Sequence, residues 1–239
     1  MTKNEWPKDV GVLVPAYQSA DSLKLLLPDL LAAVPAGNVL VVDDGSTDAT
    51  VTVCRGLGVE CRRHDTNLGK GSALATGFAF LLAKGASAVI TMDADRQHAV
   101  SDLPAFIARF KERGDAGIII GRRSFRPGRM PLARICSNAM TSRILSWICG
   151  VPILDSQCGY RLYAARFLKE ITITCPRFEM ESEVIIKAAR LSFPVLFVDV
   201  QTLYFRSASH ISHVADTLRW IKATVGIWRL LNARQDKKG

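Results

Sequence analysis

Short apolar runs alternate with helical patterns along the first half of the chain. Residues 10–14 and 38–42 are apolar at nearly every position, which is the pattern of a strand buried on both faces of a sheet. Between them, the apolar side chains of residues 21–33 recur at the intervals that form one face of a helix. The order of strand, helix and strand predicts a parallel pair joined by a helical crossover.

The same alternation continues as far as residue 120. It predicts helices at 47–57, 69–84 and 101–113, and strands at 86–92 and 116–120. Elements that alternate at this spacing predict an α/β fold, with a Rossmann-like, mainly parallel sheet covered by helices on both faces. In sheets of this kind, ligands bind beyond the carboxyl ends of the strands.

Polar residues follow the predicted strands where ligands are expected. The strand ends carry Pro15-Ala16-Tyr17, Asp43-Asp44-Gly45-Ser46 and Asp93-Ala94-Asp95. Because the carboxyl ends of parallel strands lie at one edge of a sheet, we expect the three clusters to meet in one crevice. A structural explanation stays open for each, since Pro and Tyr suit a turn and aspartates often cap the next helix.

The last cluster contains the residue types that a hard divalent cation prefers. Asp93 and Asp95 are two residues apart, so their side chains leave an extended segment on the same side. Gln97 adds a neutral oxygen, and such oxygens together with carboxylates suit Mg²⁺ or Mn²⁺. On its own, an Asp-x-Asp at a strand end is more often a turn or a helix N-cap.

The segment Gly69-Lys70-Gly71-Ser72 opens a predicted helix but matches neither common nucleotide-binding pattern. It is not a Walker loop, because the spacing Gly-x-x-x-x-Gly-Lys-Ser/Thr is absent. It also fails Gly-x-Gly-x-x-Gly, because position 74 is leucine. An NAD site of the usual kind is therefore disfavoured, which leaves a metal-assisted nucleotide site or a simple helix start.

Length and composition indicate one compact unit of 239 residues, with no linker or internal repeat. The six cysteines never approach Cys-x-x-Cys spacing, which argues against a zinc ribbon or a thioredoxin-like pair. The first residues lack the pattern of a signal peptide, and no uncharged apolar run approaches the roughly 18 to 20 residues that span a bilayer. A cytoplasmic protein without a transmembrane helix is predicted.

The charge of the chain predicts an anionic partner. The net charge is +9, and residues 116–154 contain no Asp or Glu. The arginines of that span are Arg122, Arg123, Arg126, Arg129, Arg134 and Arg143. Nucleic acid is not predicted, because no RNA-binding signature, helix-turn-helix pattern or zinc finger accompanies them. A solvated basic face stays open, as do the phosphates of a nucleotide, a lipid or a membrane surface.

Taken in order along the chain, these segments resemble the family 2 glycosyltransferases. The donor-side motifs are Val14-Pro15-Ala16-Tyr17, Val41-Val42-Asp43-Asp44-Gly45-Ser46-Thr47-Asp48, Asn67-Leu68-Gly69-Lys70-Gly71 and Asp93-Ala94-Asp95-Arg96-Gln97-His98. The acceptor-side motifs are Asp155-Ser156-Gln157-Cys158-Gly159-Tyr160-Arg161 and Phe178-Glu179-Met180-Glu181-Ser182-Glu183. The resemblance covers residues 10–219 and is greatest toward the dolichyl- and polyprenyl-phosphate sugar synthases.

The resemblance implies a GT-A domain over residues 1–212. The pattern of apolar and basic residues after it predicts an amphipathic, basic helix and tail over 213–239. Within the domain, residues 10–121 are expected to bind a nucleoside-diphosphate sugar and residues 122–212 to face the acceptor. The positions that match nucleotide-sugar-binding residues are Pro15, Tyr17, Asp43, Asp44, Lys70, Asp93, Ala94, Arg122 and Arg161.

The resemblance also implies a metal site and catalytic residues. Asp95 and Gln97, with Asp93, match the positions around an Mg²⁺ or Mn²⁺ ion. Asp93, Asp155 and Arg134 match the catalytic positions.

The implied activity is metal-dependent, inverting transfer of a sugar from a UDP- or GDP-linked donor to a polyprenyl phosphate at the cytoplasmic membrane face. With a second pKa of about 6, a phosphate acceptor is largely dianionic at neutral pH and needs no strong base. A glycan or lipid hydroxyl would need one, and Asp155 is the candidate. A non-catalytic nucleotide-sugar-binding subunit is a further alternative.

Three departures from the family pattern limit these expectations. The common Pro-x-Tyr-Asn-Glu is Pro15-Ala16-Tyr17-Gln18-Ser19 here, and a Ser-Lys pair of the mannose-transferring subgroup is Ser209-His210, so neither base nor sugar is predicted. In place of C-terminal transmembrane helices, an apolar stripe runs along residues 214–231, with Arg219, Lys222 and Arg229 beside it. Such a helix suits an anionic membrane surface or packing on the domain itself.

Overall fold

The computed structural model describes residues 3–124, 132–203 and Gly226, without the side chains of residues 132–134. Its strands are β1 (Val10–Ala16), β2 (Val39–Asp43), β3 (Glu60–Arg63), β4 (Ala88–Thr91), β5 (Ile118–Arg123), β6 (Arg161–Ala164) and β7 (Val195–Val200). Its α-helices are α1 (Ala20–Ala33), α2 (Thr50–Gly56), α3 (Lys70–Ala83), α4 (Leu103–Glu112), α5 (Leu132–Cys149), α6 (Ala165–Glu170) and α7 (Met180–Arg190).

The strands form one seven-stranded sheet in the order β3-β2-β1-β4-β6-β5-β7. Three neighbouring pairs, β1 with β2, β1 with β4 and β2 with β3, are parallel. β6 is antiparallel to both β4 and β5, and β7 is parallel to β5. Because β6 alone is reversed, the carboxyl ends of β1, β2, β4 and β5 lie at one edge. The predicted α/β fold with a mainly parallel sheet is confirmed.

The central strands are buried on both faces. Every residue of β2, β4 and β6 is buried. Successive side chains of a strand point to opposite faces, so burial at consecutive positions means that both faces of the sheet are covered. One covering helix, α3, lies very close to β1, since a Cβ added at Gly77 would lie 2.3 Å from Leu13 Cδ1. The glycine therefore allows this helix to approach the sheet.

Two differences from the predicted elements have clear physical reasons. α2 begins at Thr50 instead of residue 47, because the N–H groups of Thr47 and Asp48 donate to the side chain of Gln18 in the neighbouring loop. β3 was not predicted, because its residues are mostly charged. Charged residues suit an exposed edge strand, but they leave no apolar pattern from which the strand could be predicted.

Both predicted halves of the chain contribute to this single sheet. β6, from the predicted acceptor half, lies between β4 and β5. The boundary between residues 121 and 122 stays a prediction. The predicted C-terminal helix and tail, residues 213–239, lie outside the described residues apart from Gly226. None of the described helices has the length and hydropathy needed to cross a bilayer.

We expect Gly77→Ala to lower the free energy of unfolding by about 1–3 kcal/mol, the usual cost of overpacking a core. Leu13 is fully buried and cannot turn away into solvent. Urea unfolding measures the change. Gly56→Ala in α2 is the matched control, because nothing lies within 4 Å of the added Cβ. Equal losses of stability in the two variants would contradict the close approach of α3 to β1.

Candidate active site

The loops that follow β1 and β2 are tied together by one amide side chain. The Gln18 side-chain oxygen accepts hydrogen bonds from Thr47 N at 3.2 Å and Asp48 N at 3.1 Å. Its amide nitrogen donates to Thr47 Oγ1 at 2.9 Å, and its backbone N–H donates to Ser46 Oγ at 2.8 Å. Gln18 stands where the family commonly has Asn, and here it fixes two strand-end loops against each other. Beside it, Tyr17 is 50% exposed, and Pro15 is partly buried in β1.

Asp48 caps two helices at once. Its carboxylate accepts the N–H of Ala20, the first residue of α1, at 2.9 Å, and the N–H and hydroxyl of Thr50, the first residue of α2, at 3.0 and 2.6 Å. Burial raises the pKa of Asp48, but the hydrogen bonds from Thr50 and Ala20 outweigh it and hold that pKa below its usual value. The helix-capping role that the sequence left open for the aspartates after β2 is performed by Asp48.

Asp44 holds the segment that leads into α3. Its two oxygens accept the backbone N–H groups of Leu68 and Gly69 at 2.9 and 2.7 Å. His64 Nδ1 lies 2.7 Å from Asp44 Oδ1, and both side chains are nearly buried. Asp44 thereby sets the position of Lys70, the first residue of α3. The neighbouring Asp43 is fully buried, accepts the N–H of Ser46 at 3.1 Å and faces Arg63 at 3.4 Å.

The glycines before and within α3 make room for the distant segment 175–177. A Cβ at Gly69 would lie 2.4 Å from Pro176 O, and one at Gly71 would lie 2.2 Å from Cys175 O. Ser72 N donates to Pro176 O at 3.1 Å, which joins the two segments. The glycines of this motif are therefore required for backbone packing.

Glu183 of α7 holds this segment through Cys175 and the preceding Thr174. Its buried carboxylate accepts the N–H groups of Thr174 at 2.9 Å and Cys175 at 2.8 Å, and the Thr174 hydroxyl at 2.5 Å. Lys187 lies beside the same carboxylate. Burial raises the pKa of Glu183, but the hydrogen bonds from Lys187 and Thr174 lower it on balance. A charged glutamate thus fixes the segment that packs on α3.

Lys70 lies at the centre of the crevice between two carboxylates. Its Nζ is 2.7 Å from Asp93 Oδ1 and 2.8 Å from Glu181 Oε1, and all three side chains are largely buried. Burial alone would lower the pKa of Lys70, but the charges of Asp93 and then Glu181 raise it well above its usual value. Burial likewise opposes the charge on Asp93, yet Lys70 and His98 hold its pKa well below the usual range. The three groups therefore form an ion-pair network.

The remaining side of Asp93 faces His98, and the turn after it presents Asp95. His98 Nε2 lies 3.3 Å from Asp93 Oδ2, and the His98 ring packs on Tyr160 with ring centroids 4.8 Å apart. Asp95 is exposed and accepts the N–H of Gln97 at 3.0 Å. Partial loss of hydration at its carboxylate and then the negative charge of Asp93 raise the pKa of Asp95 above its usual value. Two carboxylates thus repel each other at this turn.

These residues fit a divalent cation. Asp93, Asp95 and the Gln97 side chain supply hard oxygen donors, and the repulsion between the carboxylates is what a cation would relieve. Within residues 3–124 and 132–203, no group of three or more His, Cys, Asp or Glu residues is arranged so that it could hold a metal ion by itself. This composition suits Mg²⁺ or Mn²⁺, which usually take one or two carboxylates and complete their shell with substrate phosphates and water.

Arg161 is buried under the crevice. Its guanidinium donates to the carbonyl oxygens of Ser156 and Cys158 at 2.7 Å and of Glu181 at 2.8 Å, so it fixes the loop before β6 against α7. In that loop, a Cβ added at Gly159 would lie 2.6 Å from Asp93 Oδ2 and 2.9 Å from Lys70 Nζ. The loop therefore passes directly against the ion-pair network. Ala94, also matched to the donor site, is buried beside Asp93.

The two adjacent arginines at the end of β5 have different partners. Arg123 donates to the fully buried Asp155 through Nε at 2.8 Å and Nη2 at 2.9 Å, and the N–H groups of Arg123 and Gln157 approach the same carboxylate at 3.2 and 3.3 Å. Arg122 forms an exposed pair with Asp199 of β7 at 2.5 and 2.8 Å. Arg134 belongs to α5, and its side chain lies outside the described part.

The structure thus joins some of the predicted residues and separates others. Lys70 contacts Asp93, the turn after Asp93 carries Asp95 and Gln97, and Asp44 holds Gly69 directly before Lys70. Arg122 lies instead on the outer side of β5, toward Asp199. The sequence assigned no contact in the site to Gln18, His64, Arg123 or Glu181. The alternation of β5 would have placed Arg122 and Arg123 on opposite faces, but nothing in the sequence says which one meets Asp155.

Known proteins resemble this chain over most of its length. The family model described as "Glycosyl transferase family 2" matches residues 11–171. An undecaprenyl-phosphate mannosyltransferase of Micrococcus luteus is 27% identical over 94% of this chain and 98% of its own length. A polyprenol monophosphomannose synthase of Mycolicibacterium smegmatis is 30% identical over 68% of this chain and 64% of its own length.

A solved structure shares the fold. Glucosyl-3-phosphoglycerate synthase from Mycobacterium tuberculosis, in complex with Mn²⁺, UDP-glucose and phosphoglyceric acid, matches with a TM-score of 0.73 at 16% identity. The match covers 92% of this chain and 79% of that one.

We expect Arg123→Met to lower the free energy of unfolding by about 3–5 kcal/mol, because it leaves the buried Asp155 carboxylate without its cation. Arg122→Met is the matched control, since it removes the adjacent arginine from an exposed pair worth about 0–1 kcal/mol. Urea denaturation of both variants measures the difference. A loss for Arg122→Met as large as that for Arg123→Met would contradict the assignment of partners.

Proposed function

Because this chain belongs to glycosyl transferase family 2 and is a glycosyltransferase, we propose that it transfers a sugar, with inversion and with a divalent cation, from a nucleoside-diphosphate sugar to a polyprenyl phosphate. The observation that carries the proposal is the contact of Lys70 and Asp93 at 2.7 Å beside Asp95 and Gln97, at the carboxyl edge of the sheet. A diphosphate is anionic and binds divalent metals, so it suits both the positive charge of Lys70 and a metal ion held at Asp93, Asp95 and Gln97.

The nucleotide binds at the ends of β1 and β2. Tyr17, half exposed, and Pro15 contact the base and ribose, and the loops that carry them are fixed by Gln18. Asp43 and Asp44 act by holding these loops and the start of α3, since both carboxylates already accept backbone N–H groups. UDP and GDP are both candidates. The fold neighbour crystallised with UDP-glucose makes uridine the first to test.

The diphosphate binds between Lys70 and the Asp93–Gln97 turn. Asp95 and Gln97, with Asp93, hold Mg²⁺ or Mn²⁺, which when bound neutralises the charge that develops on the departing diphosphate. Lys70 contributes a second positive charge from the N-terminus of α3, where the helix dipole also favours an anion. Arg134 is the further arginine proposed to face the donor or acceptor phosphate. Arg161 and Ala94 shape the floor of the donor site.

The acceptor is proposed to be a phosphate, as in the names of the relatives from Micrococcus luteus and Mycolicibacterium smegmatis. A phosphate with a second pKa of about 6 is already largely dianionic at neutral pH, so it attacks the anomeric carbon without a strong base. Asp155, the base that a hydroxyl acceptor would need, is fully buried and bound by Arg123. This arrangement favours a phosphate acceptor, with Asp155 as a positioning residue for the loop before β6.

An exposed apolar face supports a position on the membrane. Trp147 of α5 is 80% exposed, and Met140, Val151 and Leu154 are exposed on the same helix and the loop after it. Met140, Arg143 and Trp147 are spaced as neighbours on one side of a helix. Tryptophan combines an apolar ring with one N–H donor, which suits the boundary between lipid and water. We propose that this face lies on the cytoplasmic leaflet.

Charge favours an anionic membrane over other occupants of this face. Arg143 lies among the apolar side chains, and residues 116–154 contain no acidic residue. The C-terminal segment 204–239 is itself rich in Lys and Arg, so its packing there, or that of a second copy of the chain, would bring like charges together. Anionic headgroups compensate Arg143 instead, with about 1 kcal/mol per basic residue near the surface.

The transfer reaction is tested with the purified chain, labelled UDP- and GDP-sugars, Mg²⁺ or Mn²⁺ and a short polyprenyl phosphate. Label is expected in the organic extract, and a chelator is expected to abolish it. Asp95→Asn should lower the rate by about 10²–10³-fold, the usual effect of losing one stabiliser of a developing negative charge. Asp21→Asn, on the exposed side of α1, is the matched control and should leave the rate unchanged.

The same assay also tests which acceptor the enzyme uses. Free polyprenol and a glycan are offered in parallel, at the same donor and metal concentrations. Transfer to either of these with none to the polyprenyl phosphate would overturn the proposed acceptor and leave the donor chemistry standing.

Membrane binding is tested by co-sedimentation with phosphatidylcholine vesicles with and without phosphatidylglycerol, at low salt. Arg143→Gln is expected to weaken binding to anionic vesicles about fivefold, since one basic residue contributes about 1 kcal/mol. Trp147→Ser should weaken binding to both kinds of vesicle. Leu25→Ser, another exposed apolar residue on α1, is the control. Unchanged partitioning of both α5 variants would exclude this face as the contact.

A further inference from the structure

The positively charged ammonium group of Lys70 lies between the carboxylates of Asp93 and Glu181. It lies 2.7 Å from one carboxylate and 2.8 Å from the other, in a crevice with little access to water. Glu181 is anchored by α7, whose backbone at this residue also accepts a hydrogen bond from Arg161 at 2.8 Å. The lysine is therefore held by two fixed negative groups.

This arrangement limits what else can bind Asp93. Its Oδ1 contacts Lys70 and its Oδ2 faces His98 at 3.3 Å. Gly159 closes the same side, since a Cβ there would touch both Asp93 Oδ2 and Lys70 Nζ. A divalent cation that approaches Asp93 must therefore share it with an ammonium group or displace that group.

We propose that Lys70 is a built-in competitor of the divalent cation, so that the cation binds tightly only together with the nucleotide diphosphate. Without nucleotide, Lys70 neutralises Asp93 and weakens its attraction for the metal. When a diphosphate binds at the N-terminus of α3, its oxygens offer Lys70 a new anionic partner and leave Asp93 to the metal. The inference rests on the proposed donor site and is independent of the acceptor.

Glu181 has the opposite effect on the competition between Lys70 and the divalent cation for Asp93. It shares Lys70 with Asp93 and so weakens the hold of the lysine on that carboxylate. Removing the charge of Glu181 leaves Lys70 to Asp93 alone, which strengthens the competitor. Removing the charge of Lys70 eliminates the competitor. The two substitutions are therefore expected to change metal affinity in opposite directions.

The experiment measures Mn²⁺ affinity of the full chain by titration calorimetry, without nucleotide and with saturating UDP or GDP. Lys70→Met is expected to raise the affinity about tenfold without nucleotide and to change it little with nucleotide, within the usual range of coupling between two ligands. Glu181→Gln is expected to lower the affinity measured without nucleotide. Lys84→Met is the matched control, since it removes the same charge from the exposed end of α3.

The comparison with and without nucleotide separates competition from a general charge effect. A general effect would raise the Mn²⁺ affinity of Lys70→Met equally under both conditions, and that result would overturn the inference. So would wild-type affinity that is the same with and without nucleotide. If Lys70→Met does not fold, a rise in affinity for Glu181→Gln overturns it. If nucleotide raises the Mn²⁺ affinity of Lys70→Met by the same factor as in the wild type, that result contradicts this inference alone, and the proposed transferase function is unaffected.

Discussion

Buried negative charge is the constraint on which the site depends. Asp44, Asp155 and Glu183 are buried and Asp93 is largely so, and a carboxylate left there without a partner would be strongly destabilising. Backbone N–H groups compensate Asp44, Arg123 compensates Asp155, Lys70 compensates Asp93, and Lys187 together with backbone N–H groups compensates Glu183. The loops of the site are consequently held where these carboxylates find their partners.

The sequence predicted the frame of the site because the relevant signals are local. Residues 10–14 and 38–42 are apolar without a break and run directly into polar clusters, so both the strands and their shared edge follow from a short window. Asp93, Asp95 and Gln97 were predicted for the same reason. β3 was not predicted, because an edge strand that is exposed to water needs no apolar pattern.

Partners that meet across long stretches of chain could not be predicted in the same way. Lys70 and Glu181 are 111 residues apart, and their contact depends on how α7 is placed against α3. Gly69, Gly71 and Gly159 illustrate the same limit. The sequence left Gly69 and Gly71 as part of a nucleotide site or a helix start, whereas each of the three glycines is needed because atoms from a distant segment occupy the space of a Cβ.

The reversed strand in the middle of the sheet has a consequence for how the chain is made. β4, at residues 88–91, pairs on one side with β1 but on the other side with β6, at residues 161–164. During synthesis, that second edge of β4 has no partner until the ribosome has added more than seventy further residues, counted from these two ranges. An apolar, unpaired strand edge is a site of aggregation, so this interval is when the nascent chain most needs a chaperone.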